Sequence, residues 1–387
     1  MAVTALAPAS FASDPSAAVR VEIVGAERFA SLTREWRDLV RRAALPNVAM
    51  DPAAAAASGG AVRAVLVWRE AAGGPELAGV WLLRVGRLFA RWPVPVLLAP
   101  VHRTLILGGP VIDRSRLAET LEAMLAALAA DRSLPAILRI GELPTEGPTY
   151  AALAEVLARR GRDWTALRRL SRPKLVPGED GEAYLRRALS AKRRAELRRC
   201  RRRLGELGAL EVTTHRAPEE VRAAFEAFLT LEAQGWKGRA GSALAQRGAE
   251  AEFARALVRG LAEQGGVTII ALRLDGRPAA LEVMLRCGGV VHTWKSTYDE
   301  TWRGFGPGFV LMEDLTRALL ADPDLVFADM SNDEAFTDPH GVAAFWTGRH
   351  EVADLLVELR PGLPFAFRLT ALAARLRRAW RKRGFRG

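Results

Sequence analysis

The 387-residue sequence predicts a mixed α/β fold, α+β in its local order, with central sheets flanked by helices and divided between two domains. Short β-branched or aromatic runs alternate with helical apolar periodicity along most of its length. The chain is long for a single hydrophobic core, so two of ordinary size are expected. Half of the residues are hydrophobic and 26% are charged, a globular balance that excludes wholesale disorder.

Residues 1–19, rich in Ala, Ser and Pro, read as a disordered leader, and 20–172 as the first domain. Val21–Val24 is a short strand, and Ala26–Ala43 a helix with Phe29, Leu32, Trp36 and Val40 on one face. The small-residue stretch 51–60 leads into a strand at Val62–Trp68, which Gly73-Gly74-Pro75 turns into another at Leu77–Val85. Residues 94–107 are apolar and extended. A helix over 116–130, a buried strand at Ile137–Ile140 and a helix at Thr149–Arg160 complete this half. Arg172-Pro173 through Pro177-Gly178 reads as the linker.

The second domain, 173–361, opens with a long basic helix, Gly181–Glu206. A strand (Glu211–Thr214), a helix (Pro218–Ala233), a glycine-rich loop (Gln234–Arg247) and another helix (Ala249–Glu263) follow. Three strands then meander, Val267–Leu274, Ala279–Arg286 and Val290–Tyr298, joined by Asp275-Gly276 and Gly288-Gly289. A glycine loop and helix, a strand at Leu325–Ser331, a helix at Pro339–Thr347 and a strand at Glu351–Leu359 close the domain. Residues 362–387 form a basic amphipathic helix or tail.

Arg303-Gly304-Phe305-Gly306-Pro307-Gly308 stands where a strand turns into a helix. Glycines there leave the first helical N–H groups facing outward, and with the positive end of the helix dipole they suit a phosphate or pyrophosphate. A doubly wound dinucleotide fold would place such a loop after its first strand. Here it follows an antiparallel meander, which rules that reading out.

The net charge of +12 is concentrated: eight basic and no acidic residues lie from Leu363 to the end. Whole-protein charge therefore argues poorly for nucleic acid, and no specific nucleic acid is expected. Leu369, Leu372, Leu376 and Trp380 share one side of the tail helix. That fits peripheral contact with an anionic membrane, docking onto the protein itself, or non-specific nucleic-acid contact. Cys200 and Cys287 lie far apart without metal-ligand spacing, so neither a disulfide framework nor a metal site is expected. The apolar region 77–112 is broken by Arg84, Arg87, Arg91, His102 and Arg103, too often for a membrane span, and no secretory signal opens the chain. The expected location is cytoplasmic, or peripheral at the inner face of the membrane.

The stretches 190–204, 231–244 and 295–311, the strand VFADM and the pair Phe345-Trp346 together resemble the GNAT fold. In particular the chain resembles the bacterial family of acetyltransferases involved in cellulose or exopolysaccharide biosynthesis, relatives of the Fem-type transferases, which pair two GNAT-like halves. The resemblance implies tandem GNAT-like domains and an acyl-CoA co-substrate, acetyl-CoA above all, on Arg303–Gly308 through the Arg-x-x-Gly-x-Gly pattern. It also implies a small-molecule or saccharide acceptor, offering an amine or a hydroxyl, in the cleft between the halves. Many GNAT enzymes carry a proton-donating tyrosine in the helix after the fifth strand. Phe345 and Trp346 stand there, which leaves Tyr298 as the phenol nearest the loop.

Acyl transfer needs a base, dipoles for the oxyanion and an acid for the thiolate. Strict alternation puts His292, Trp294, Ser296 and Tyr298 on one face of their strand. His292, which titrates near neutrality, and Glu282, a carboxylate within an apolar strand, are both base candidates. Asp329 and Asp299 are candidates for orienting an acceptor. So are Trp236, Lys237 and Lys295, two of them lysines retained in a chain with only five. Two readings stand beside acyl transfer from coenzyme A: Fem-like aminoacyl or peptidyl transfer, and a non-catalytic scaffold binding acyl-CoA or a partner protein.

Overall fold

The computed structural model describes residues 19–331, 341–361 and 364–384. Among them one sheet of thirteen strands runs through the whole molecule. The strands are β1 (Arg20–Gly25), β2 (Val62–Ala71), β3 (Gly74–Gly86), β4 (Val96–Ala99), β5 (Val111–Ile112), β6 (Ile137–Pro144) and β7 (Trp164–Leu175). They continue as β8 (Leu210–His215), β9 (Val267–Leu274), β10 (Arg277–Cys287), β11 (Val290–Tyr298), β12 (Phe327–Met330) and β13 (Gly348–Glu358).

Each half repeats one pattern of pairing. β1 to β4 pair antiparallel in sequence, and β4 then runs parallel to β6. Likewise β8 to β11 pair antiparallel, and β11 runs parallel to β12. The closing strands are exchanged. β13 lies between β6 and β7, and β7 lies between β13 and β12, so each half ends inside the other. The mixed α/β expectation holds, with helices packed along the sheet.

The largest core does not stop at the boundary between halves. It joins Phe29, Trp36 and Trp81 to Phe225 and Phe228 of the helix Pro218–Gln234. The small-residue stretch is a helix, Pro52–Ser58, capped by Asp51, whose carboxylate accepts from Ala53 N. Its alanines let it approach the helix Gly248–Ala262, where a Cβ on Gly260 would come within 2.9 Å of Ala53 Cβ. A second cluster, with Tyr184, Leu197, Leu311, Phe345 and Trp346, lies within the later half.

Several expectations are corrected. Arg172–Leu175, expected in the linker, belong to β7, whose arginines hide a strand pattern because they pair inside the sheet. The basic helix breaks at Ser190, whose hydroxyl caps the segment Ala191–Gly205 by accepting from Arg193 N. Of 94–107 only Val96–Ala99 is strand. The expected helix 339–347 is a 3₁₀ turn, Val342–Phe345, and its residues 339–340 lie outside the described residues, as does the expected leader up to residue 18.

Candidate active site

β11 and β12 stay together only briefly. They pair from Val290–Thr293 against Phe327–Met330, after which β11 runs on to Tyr298 without that neighbour. A cavity of about 730 Å³ occupies the gap. Ala280–Glu282 of β10, Thr293–Tyr298 of β11 and Gly306–Phe309 line it from the later half. The earlier half contributes Arg103–Ile106 and Glu142. The segment carrying Arg103 is fastened across the halves. Thr104 O accepts from Trp294 Nε1 at 2.7 Å, Arg103 pairs with Glu250 at 2.8 Å, and His102 stacks on Phe253.

Glu300–Phe305 form a 3₁₀ turn that carries Arg303 and Gly304. Gly306 then adopts φ 58° and ψ 49°, and the helix Pro307–Leu320 starts at once. Gly306 is required here because this left-handed conformation is costly for other residues. The first turn is less bare than its glycines suggest. Gly306 O accepts from both Phe309 N and Val310 N, and Pro307 has no N–H, which leaves Gly308 N–H as a donor without a backbone acceptor among the described residues. A Cβ at Gly308 would meet nothing nearer than Tyr298 Cδ1 at 4.0 Å, so space for a ligand adjoins that donor. Arg303, Gly306, Pro307 and Gly308 line the cavity, whereas Gly304 and Phe305 stand outside its wall. The Phe305 ring instead supports the Arg203 guanidinium at 4.7 Å.

Glu282 opens into this cavity from an apolar stretch of β10, between Leu281 and Val283. Burial pushes its carboxyl up to about 8, against the opposing pull of Lys237. Lys237 is fixed, its ammonium donating to Glu232 and to Ser296 O, both at 2.9 Å. Lys295 also lines the cavity, its pKa lowered by burial and then by Lys237. Trp236 and Tyr298 present exposed rings at the wall. Phe345 and Trp346 are fully buried, and Trp346 Nε1 donates to Thr316 Oγ1, which places neither aromatic in the cavity.

His292 and Asp329 are not brought to the cavity. Ala280, Glu282 and Met284 register with Tyr298, Ser296 and Thr293, while Leu285 registers with His292. Trp294 is therefore an extra residue in β11, a bulge that inverts the alternation and turns His292 to the face opposite Ser296 and Tyr298. His292 instead joins a buried polar belt across five adjacent strands. Arg172 Nη1 donates to Asp329 Oδ2 at 3.1 Å, and His292 Nδ1 and His350 Nδ1 each lie 3.4 Å from that oxygen. Arg172 also pairs with Glu142, which holds Arg168 at 2.6 Å. Burial alone would raise the Asp329 pKa, but Arg172 and then the imidazoles hold it well below the carboxylate range. Asp299 likewise stays off the cavity wall, capping the 3₁₀ turn by accepting from Thr301 N at 2.8 Å. The sequence reading missed Arg172, His350 and Glu142, for nothing in sequence links partners this far apart.

Part of the chain matches a known family model. Residues 191–336 match the model described as an acetyltransferase (GNAT) domain. The match takes in β8 to β12, the Gly306–Gly308 turn and the residues of the later half around Glu282. No curated protein matches the chain. Solved structures similar to it include FemX, 10% identical with a TM-score of 0.56, the match covering 88% of this chain and 97% of that one. A conserved protein of unknown function from Bacteroides thetaiotaomicron is 12% identical with a TM-score of 0.53, covering 88% and 99%. The C-terminal domain of a provisionally named lysylphosphatidylglycerol synthetase from Agrobacterium fabrum is 14% identical with a TM-score of 0.51, covering 89% and 95%. At such identities the likeness is one of fold.

Proposed function

We propose that the protein transfers an acyl group, acetyl first among them, from coenzyme A to an amine or hydroxyl acceptor. One observation carries the reading. A single cavity joins the N-terminus of the helix Pro307–Leu320, beside Arg303, to the carboxyl of Glu282, along the part of β11 that β12 does not pair among the described residues. In this reading Gly308 N–H and Arg303 hold the pyrophosphate, and the thioester lies along β11. Backbone N–H groups freed where β11 leaves β12 can donate to the carbonyl oxygen as it becomes an oxyanion. Glu282 takes the acceptor's proton as its nitrogen or oxygen bonds to the acyl carbon. The carbon–sulfur bond then breaks, and the Tyr298 phenol protonates the departing thiolate.

The acceptor enters on the side walled by Arg103–Ile106 and Glu142. A saccharide, which the resemblance to the exopolysaccharide family implies, is supported by the exposed indole of Trp236 beside Lys237. The similarity to FemX keeps a second reading open, aminoacyl transfer as the Fem-type resemblance implies. Calorimetry with acetyl-CoA separates the two: Kd in the micromolar range supports acyl transfer from coenzyme A, and no binding below millimolar overturns it. A screen of amines, sugars and other hydroxyl compounds with labelled acetyl-CoA then identifies the acceptor.

A further inference from the structure

The C-terminal helix Pro364–Gly384 is apolar on two opposite sides. One is docked: Phe367 and Ala371 are buried with Val96, Leu98, Ile137 and Leu356, and Trp92 Nε1 donates to Thr370 Oγ1 at 3.1 Å. About half a revolution away, Phe365, Leu369, Leu372 and Leu376 follow one another at helical spacing. They are 74%, 40%, 52% and 62% exposed. A surface helix docked by one face is ordinarily polar on the other. Here four large apolar side chains line up toward solvent.

The surroundings of that row are basic. Arg368, Arg375 and Arg377 are exposed on the same helix. The segment between β3 and β4 packs against it, with Arg377 over the Phe89 ring at 4.9 Å, and exposes Arg87 and Arg91. Neither 84–99 nor 363–387 contains an acidic residue, so two segments distant in sequence bring charge of one sign to this helix.

We propose that this face rests on an anionic lipid surface, with the apolar row in the headgroup–acyl boundary and the arginines on lipid phosphates. A second copy of the chain would cover the row but set arginine against arginine. Nucleic acid would take the arginines but leave the row in water. An anionic bilayer answers both. The inference does not depend on the proposed acyl transfer.

The test is flotation of the full chain with phosphatidylglycerol-containing vesicles and with vesicles of phosphatidylcholine alone. The chain should float with the first and not the second, and raised salt should release it. Leu369→Asp combined with Leu372→Asp should partition at least about tenfold more weakly. Because both side chains are exposed, the melting temperature of that variant should match the parent's, which separates lost docking from lost folding. The proposal is overturned if the parent fails to float, if it floats equally with phosphatidylcholine, or if the double variant floats like the parent. A concentration-dependent dimer dissolved by the same variant would overturn it too, assigning the row to a second copy.

Discussion

Replacing Gly308 by valine should separate ligand binding from folding. A Cβ there makes only ordinary contact with Tyr298, at 4.0 Å, so the first turn of Pro307–Leu320 has room for it. Valine is a slightly better helix former than glycine, by about 0.3–0.5 kcal/mol, which would move the melting temperature upward by no more than about 2 °C. Binding should move the other way. The new methyl groups enter the space beside the Gly308 N–H and keep a phosphate oxygen away from it. A hydrogen bond to a charged group contributes about 1.5–3 kcal/mol, so the Kd for acetyl-CoA should rise about ten- to hundredfold. Calorimetry and a thermal melt on the same preparation read both quantities. Gly306→Val cannot serve, because φ 58° costs a side chain about 1–2 kcal/mol in the fold itself. An unchanged Kd in Gly308→Val would refute the reasoning and leave the turn without a ligand.

Three further outcomes are expected. Burial pushes the Glu282 carboxyl up to about 8, so turnover should climb as pH rises toward and past that value, and Glu282→Gln should abolish the climb. A flat profile in the parent removes Glu282 as the base. Tyr298→Phe should leave the acetyl-CoA Kd unchanged and lower kcat, the mark of an interaction made only in the transition state; equal kcat would clear the phenol of the acid role. Arg172→Met strands Asp329 and Glu142 in the sheet and should cost about 3–5 kcal/mol, read as an earlier urea midpoint. The sign with pH follows from Asp329, whose folded pKa is depressed: its contribution is complete above the unfolded value of 3.8 and is lost as pH falls through the folded one. A stability that did not fall on acidification would contradict that assignment.

Local chemistry was the legible part. The hairpin glycines placed β9, β10 and β11, and the Arg303–Gly308 run placed the helix turn with the donor of Gly308. Glu282 stood out as a carboxylate in an apolar strand, and it does open into the cavity. Long-range pairing was illegible. The end of β7, Arg172–Leu175, reads as linker because the groups that neutralise Arg168 and Arg172 come from β6, β12 and β13. The Trp294 bulge leaves no mark on the sequence, so alternation carried His292 to the wrong face. The role of Arg103–Ile106 could not be read either, since it exists only where the earlier half crosses to the later one.

The exchange of closing strands constrains how the chain is made. While ribosomes release it from the N-terminus, β6 is complete by residue 144, yet its outer partner β13 begins at residue 348. Throughout that interval the nascent first half carries an unpaired strand edge, Ile137–Pro144, of the kind that recruits other chains. Closure waits for a contact spanning some two hundred residues, an entropically slow step that completes both halves together. A chain cut anywhere before β13 would forfeit not just its end but the sealing of its beginning.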